Sequence, residues 1–559
     1  GMYLEETQKW LYAKDTWKIP VKLMTGQADK TIIYKSSDSA VAAVDAEGVV
    51  TARKPGNAVI TLINKASGYT QSVDITVTKY MSISNSLTDY KLPEEFLSDI
   101  EKDENDEKGR HYLGQPDMVM LNDERTLITV YPVGHGVGPI VMQVSEDAGE
   151  TWKEKTDIPS SWSMSYETPT LYKLNMTNGK EKLILISGRP ESFGAPTGGW
   201  DTSVSDDGGK TWSEFETFCE TLENGSRNET VVAMASLIQL KDENGNYIDK
   251  WMGVYHNGTS FVNYKTYLTF DANGNQQWST PEPYLTAYRS IEQTYQICEV
   301  GLFRSPDGKR IVGLARSQSH NNPATMFYSD DEGETWSEPV DLPGSLAGER
   351  HKAMYDPTDP TGQRLLVAFR EIRYDLNGNN QFDGYSDWLA GDWIAWVGTY
   401  DDIMNQDEGQ YRILLCEDWA ANAKSGDTGY TGLVVQSDGT FIMDTYGHWD
   451  KEYSESLPNY NVYNDLCYIK QAKFKLSDLD GQVLGAFKEQ LENELELVPQ
   501  GAEAKYTKKT WEAMKKAEAD AHKVLLDANS SQNAYYAAYI ALREARLALV
   551  MQGAQEEPE

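Results

Sequence analysis

Ser145-Glu-Asp-Ala-Gly-Glu-Thr-Trp152, Ser205-Asp-Asp-Gly-Gly-Lys-Thr-Trp212 and Ser329-Asp-Asp-Glu-Gly-Glu-Thr-Trp336 are three spellings of one phrase. Their central aspartates stand at 147, 207 and 331, so the steps of 60 and 124 residues are close to one and two units of a common length. A worn copy, Asp271-Ala-Asn-Gly-Asn-Gln-Gln-Trp278, lies where the period calls for it. Asp and Gly supply a tight hairpin: the carboxylate accepts backbone N–H groups, glycine tolerates positive φ, and the tryptophan packs beneath the turn. Such a turn, repeated at this interval between short β-branched and aromatic runs, is the signature of radially repeated four-stranded blades, so the chain reads as a propeller. The repeated aspartates are then structural parts of its outer rim rather than catalytic groups.

Composition narrows the class. At 559 residues the chain exceeds what one core holds, so two or three domains are expected. A formal charge of −35 argues against nucleic acid or an anionic membrane as partner. Cys219, Cys298, Cys416 and Cys467 are widely separated and show no metal-ligand spacing, which favours free buried thiols over a disulfide framework. No apolar run is long enough to span a bilayer, and no signal peptide is present. Gly1-Met2 reads as a cloning remnant, so an export leader is expected to have been removed; the expected location is secreted or on a bacterial cell surface.

Both ends read as accessory modules. Residues 1–80 alternate as strands, in Thr31-Ile-Ile-Tyr34 and Ala58-Val-Ile-Thr-Leu-Ile63, with turns at Ala46-Glu-Gly48 and Lys54-Pro-Gly56. The phrase Ser36-Ser-Asp-Ser-Ala-Val-Ala-Ala-Val-Asp-Ala-Glu-Gly-Val-Val-Thr-Ala52 is similar to bacterial group 2 immunoglobulin-like domains, which implies a β-sandwich. Over 482–555 the period becomes helical: Leu484, Phe487 and Leu491, then Trp511, Met514, Ala517 and Leu525, then Ala541, Ala545, Leu547 and Leu549. Tyr506-Thr-Lys-Lys-Thr-Trp511 and the spaced Ala and Leu after it resemble the small helical FIVAR modules of surface enzymes, although a packing bundle without a ligand is the plainer reading of the residues.

The three repeated phrases resemble the Asp-boxes of the sialidase superfamily, and the likeness extends over 85–477. It implies a mainly β protein with a six-bladed β-propeller between the N-terminal Ig-like sandwich and the C-terminal helical bundle. It also implies a glycoside hydrolase in which a tyrosine nucleophile, activated by a glutamate, attacks an anomeric carbon that already bears a carboxylate, while three arginines clamp that carboxylate and an aspartate serves as acid/base. Asp-boxes also occur in propellers that hydrolyse other glycans or none, so the residues decide.

Cys298-Glu299-Val-Gly-Leu-Phe-Arg-Ser-Pro-Asp-Gly-Lys-Arg-Ile-Val-Gly-Leu-Ala-Arg316, ahead of the third box, resembles the family's glutamate strand, hairpin and arginine strand. On that match Glu299 partners the nucleophile and Arg316 is a clamp arginine; a salt-bridged pair on blade edges is the plainer alternative. Gly429-Tyr430-Thr-Gly-Leu433, with Ser437-Asp-Gly439 after it, resembles the family's tyrosine phrase and implies Tyr430 as nucleophile, or else as an aromatic pocket wall. Two family features are missing. Leu113-Gly114-Gln115-Pro116 puts glycine where the first clamp arginine belongs, and the first-blade loop, Tyr131-Pro-Val-Gly-His135-Gly-Val-Gly-Pro139, has no aspartate. A histidine between glycines suits proton transfer near neutral pH, so His135 is the candidate acid.

Further candidates lie at matching strand ends: Arg350 and His351 after the third box, Arg370, Glu167, Arg189, and His256 in a turn. Asp375, Asn377, Asn379, Gln381 and Asp383 alternate oxygen ligands at calcium-loop spacing without the usual glycine and closing glutamate; a solvated turn reads as well, and a calcium ion there would be structural. No cofactor is required. The reading is an exo-acting hydrolase of sialidase type that removes a terminal acidic sugar from a glycan partner, with attachment to a cell surface as a further expectation. Its rivals are the same scaffold cleaving another terminal sugar and a non-catalytic glycan-binding surface protein.

Overall fold

A computed structural model describes residues 2–13, 15–24, 29–78, 87, 89–374, 388–420, 426–458 and 461–552. The chain forms two compact units, one of residues 1–82 with 477–559 and one of residues 83–476.

In the first unit, Gln8–Tyr12, Thr70–Thr78, Gly56–Asn64 and Ile32–Ser36 form one sheet, and Thr16–Lys18, Val49–Ala52 and Ala42–Val44 another. Alternation along Gly56–Asn64 sends Ala58, Ile60 and Leu62 inward, where they join Val50 and Ala52 of the second sheet in a common core. Three helices follow, Leu476–Glu496, Lys508–Leu526 and Gln532–Leu547. The Phe487 and Tyr536 rings meet edge to face at 5.6 Å, and Arg546 pairs with Glu494 at 2.6 Å. The two ends of the chain were read as separate modules, yet they share this unit: the Arg53 guanidinium donates to the Leu547 carbonyl at 3.3 Å and the Tyr506 hydroxyl to Glu47 at 3.3 Å.

Among its described residues the second unit holds six sheets. Sheet 1 is Asp117–Met120, Leu127–Pro132, Ile140–Ser145 and Lys153–Glu154; sheet 2 is Thr170–Asn175, Glu181–Gly188, Trp200–Ser205 and Glu216–Phe218. Sheet 3 is Val231–Lys241, Tyr247–His256, Asn263–Phe270 and Gln276–Trp278, with Glu282–Pro283 alongside; sheet 4 is Ile297–Arg304, Ile311–Ser317, Thr325–Ser329 and Val340–Asp341. Sheet 5 is Gly348–Tyr355, Arg364–Tyr374, Trp388–Thr399 and Tyr411–Cys416, with Asp89–Lys91 added in parallel; sheet 6 is Gly432–Val435, Thr440–Gly447, Tyr468–Lys475 and, from the start of the unit, Leu97–Glu101. Each sheet's first strand touches that of the next, and the first strand of sheet 6 touches that of sheet 1. Lys352 of sheet 5 pairs with Asp117 of sheet 1 at 2.6 Å. The first strands surround a cavity of about 320 Å³ lined by Met118, Tyr172, Leu237, Gly301, Lys352 and Val434 among others.

The repeated phrases are the turns between the third and fourth strands of sheets 1, 2 and 4. In each, the central aspartate accepts from the threonine N–H and hydroxyl four residues on: at 2.8 and 2.6 Å for Asp147, 2.9 and 2.6 Å for Asp207, 2.8 and 2.5 Å for Asp331. The Trp212 and Trp336 indoles donate back to Gly209 and Gly333 of their own turns, whereas Trp152 reaches Gln471 of sheet 6 at 3.0 Å. The worn copy keeps the aspartate turn, Asp271 accepting from Asn273 and Asn275, but its Trp278 turns to Gln276.

Candidate functional site

Three first strands carry the same irregularity. Pairing slips between Val231 and Ser236 in sheet 3, Cys298 and Gly301 in sheet 4, and Glu349 and Lys352 in sheet 5. Within the slips Val232, Glu299 and Arg350 adopt positive φ of 49°, 50° and 58°. Bulges re-aim side chains, and a non-glycine residue held in this strained region points to a positional demand. Two of the three are candidate site residues.

The Tyr430 hydroxyl donates to Glu299 Oε1. Arg316 Nη1 lies 3.2 Å from both Glu299 oxygens and 3.4 Å from the Tyr430 hydroxyl. The Arg350 and Arg370 guanidiniums lie 5.8 and 6.0 Å from the centre of the Tyr430 ring. Gly429 makes this approach possible: at φ +86° a Cβ would sit 2.4 Å from Arg370 Cβ. Burial, followed by the charge of Glu299, pushes the Tyr430 phenol well above its ordinary pKa. Burial alone would raise Glu299 too, but Arg316, the Tyr430 hydroxyl and Arg350 outweigh it and hold the carboxyl below its usual value. The pair is therefore a neutral phenol beside an ionised carboxylate.

A second carboxylate stands between two of the arginines. Glu349, 2 % exposed, pairs through Oε1 with Arg316 Nε at 3.1 Å and His320 Nε2 at 2.9 Å, and through Oε2 with Arg370 Nε at 2.8 Å and Nη2. Arg316, Arg370 and His320 overcome its burial and hold it well below the usual carboxylate range. The His320 ring stacks on Trp388 at 3.9 Å.

A third carboxylate, Asp427, joins this centre to His135. Asp427 Oδ2 lies 2.9 Å from His135 Nδ1 and accepts from the Tyr112 hydroxyl; Oδ1 accepts from Tyr446 at 2.6 Å and lies 3.8 Å from Arg370 Nη1. Despite its burial, His135 and His448 bring Asp427 down to about 2. The His135 side chain is 36 % exposed and meets the Tyr463 ring at 4.8 Å. Glu167 Oε2 accepts from Val232 N at 2.7 Å. Burial pushes Glu167 up to about 8, Glu299 adding to the rise against hydrogen bonds from Thr168 and Val232.

Tyr430, Glu299, Arg316, Arg350, Arg370 and, through Asp427, His135 thus come together, with Glu167 within electrostatic reach. Arg189 and His351 do not join them. Arg189 donates to Asp201 at 2.7 Å and to Thr197, so it braces sheet 2 and its neighbouring loop. His351 uses Nε2 against the Leu346 carbonyl at 2.8 Å, stacks on Phe369 and is pushed by burial down to about 4, leaving it no proton to give. His256 lies within electrostatic reach of Glu299, Arg316 and Arg350, but it is buried, stacks on Phe261 and is pushed by burial down to about 4. Gly114, where an arginine was looked for, has no room for a side chain: a Cβ would lie 2.1 Å from the Gly134 carbonyl oxygen of the His135 loop. Asp375, Asn377, Asn379, Gln381 and Asp383 fall outside the described residues, and among the described residues no cluster of three or more His, Cys, Asp or Glu could hold a metal.

Sequence reasoning missed Glu349, Asp427, His320, Tyr112 and Tyr446. Two lay beside marked residues: Glu349 adjoins Arg350, and Asp427 stands three residues before Tyr430.

Residues 178–352 match the BNR repeat-like domain family and residues 21–77 the bacterial Ig-like domain (group 2) family. No curated protein matches the chain. Among solved structures, a protein of unknown function from Dyadobacter fermentans is 16 % identical with a TM-score of 0.45, covering 67 % of this chain and 97 % of that one. The intramolecular trans-sialidase of Ruminococcus gnavus is 13 % identical with a TM-score of 0.44, covering 68 % and 98 %. An α-L-arabinanase of Penicillium chrysogenum is 12 % identical with a TM-score of 0.41, covering 68 % and 98 %. Among the described residues no helix is long and apolar enough to cross a membrane.

Proposed function

We propose that the chain is a glycoside hydrolase built on a six-bladed β-propeller, with Tyr430 as nucleophile and Glu299 as its base. The observation that carries this is the buried hydrogen bond from the Tyr430 hydroxyl to Glu299, set among Arg316, Arg350 and Arg370. A phenol held above its ordinary pKa is a poor nucleophile alone; beside an ionised carboxylate it gives up its proton as it attacks. In the first step the Tyr430 oxygen bonds to the anomeric carbon, the phenolic proton passes to Glu299, and the glycosidic bond breaks as its oxygen takes a proton from His135. In the second step water attacks the anomeric carbon and gives one proton to His135, while the released tyrosine oxygen recovers its own from Glu299. Asp427 orients His135 through Nδ1, leaving Nε2 for the transfer.

The same proposal includes export and display on a cell surface, with the Ig-like domain as spacer and the helical tail as a FIVAR-like module. Any calcium at Asp375–Asp383 is structural in it, and the reaction uses no cofactor. The test is a panel of aryl glycosides, neutral and acidic, with wild type and Tyr430→Phe. The substitution removes one hydroxyl, so kcat should fall by about 10³-fold or more with circular dichroism unchanged. Unchanged turnover in the variant would remove Tyr430 from the chemistry.

A further inference from the structure

Two of the guanidiniums beside Tyr430 already have a carboxylate. Glu349 fills the position between Arg316 and Arg370 that an anionic substrate group would need, and both its oxygens are used. It is supplied by the chain itself and locked from behind by His320, which is pinned on Trp388. Arg316 spends its Nη1 on Glu299 and Tyr430, and Arg370 turns its Nη1 toward Gly426 and Asp427.

An incoming carboxylate could reach these arginines only by displacing Glu349. That would leave a buried, unpaired charge beside Glu299, and breaking a buried pair in this way is strongly unfavourable. The local balance agrees: Arg316, Arg350 and Arg370 face the carboxylates of Glu299, Glu349 and Asp427, so the centre has no surplus positive charge to attract an anion. Gly114 closes the remaining route, because no further cation can be placed where its Cβ would strike the Gly134 carbonyl.

We infer that the site takes a neutral terminal sugar, with Glu349 as the residue that excludes acidic ones. The inference rests on the glycosidase reading above and names its substrate class. Hydroxyl groups can accept from Arg350, a five-donor guanidinium that keeps donors beyond its bonds to the Ala235 carbonyl and the Tyr172 hydroxyl.

The test uses the full chain. Wild type is assayed on neutral 4-nitrophenyl pyranosides and furanosides, the matching uronides and a 4-nitrophenyl sialoside, and the free neutral sugars and sialic acid are titrated by calorimetry. The expected result is turnover of at least one neutral glycoside, with acidic substrates at least 100-fold slower in kcat/KM, and no heat from sialic acid. Glu349→Gln should lower neutral turnover and gain at least tenfold in affinity for sialic acid. Should that variant fail to fold, the wild-type panel still decides. Preferential turnover or binding of an acidic sugar by wild type overturns the inference while leaving the hydrolase reading intact. If nothing is hydrolysed but neutral sugars alone bind, the hydrolase reading fails and the inference stands; if no sugar binds or reacts, both fail.

Discussion

At the scale of single residues, the candidate site sets apart the protonation states of groups that feel one another's charge. Glu299 and Glu167 are both buried glutamates, yet arginine neighbours keep the first ionised while an apolar setting and the charge of the first keep the second protonated up to about 8. This has a measurable consequence for folding. In the unfolded chain Glu167 ionises near its ordinary value of 4.5, so between there and about 8 the folded protein holds a proton that the unfolded chain has lost. Stability should therefore fall as pH rises through that window. Glu167→Gln removes the loss, so its melting temperature should match wild type near pH 4.5 and pull ahead toward pH 8; a gap constant with pH would show that the carboxyl is ionised throughout. The pairing of His135 with Asp427 yields a kinetic counterpart. Leaving groups of low pKa depart without a proton, so His135→Ala should spare a 2,4-dinitrophenyl glycoside and slow a natural disaccharide by about 10²-fold or more. Equal losses on both substrates would assign the proton to another group, with Glu167 the next choice. Tyr430, Glu299 and Arg316 were legible because motif neighbours mark them. Asp427 and Glu349 lay beside marked residues but were passed over, since their partners Arg370, Tyr446 and His135 are distant in sequence and nearness to a motif does not single out a carboxylate among 86 acidic residues.

At the scale of strands and turns, the repeat was legible for a physical reason: each Asp-box satisfies its own hydrogen bonds within a few residues, so its chemistry is written locally. The bulges at Val232, Glu299 and Arg350 were not, because a register slip depends on the partner strand and leaves no residue signature when the positive φ falls on a non-glycine residue. Gly429 lies between these cases. Its glycine stands out in the tyrosine phrase, but only the fold shows that Arg370 occupies the space where its side chain would go. Gly429→Ala should consequently act on Tyr430 through the backbone. Both the φ of +86° and the 2.4 Å approach oppose a Cβ, so the start of the Gly432–Val435 strand must shift and carry Tyr430 off Glu299. The expected outcome is a destabilisation of about 1–3 kcal/mol with kcat reduced more than KM. A variant with wild-type kcat would show that Tyr430 tolerates the displacement.

At the scale of the whole molecule, the −35 formal charge and the balanced centre act over different distances. The strands of residues 1–80 were readable from their alternation and the Ig-like reading from the resemblance of the Ser36–Ala52 phrase, whereas the joining of chain ends through Glu47–Tyr506 and Arg53–Leu547 was not, because those partners are separated by most of the sequence. Net charge, by contrast, is fixed by composition alone, and it bears on how a substrate arrives. A strongly acidic protein repels anions at long range, and salt screens that repulsion once the Debye length falls to about 10 Å near 0.1 M. A neutral sugar feels neither effect. The kcat/KM of the best neutral glycoside should therefore stay within about twofold as ionic strength rises from about 0.01 to 0.5 M. On a polyanionic glycan bearing the same terminal sugar, kcat/KM should climb over the same range, because only the approach of the charged carrier is hindered. A steep fall with salt on either substrate would instead reveal a local cationic attraction, and would place Arg350 rather than the paired Arg316 and Arg370 at the point of first contact.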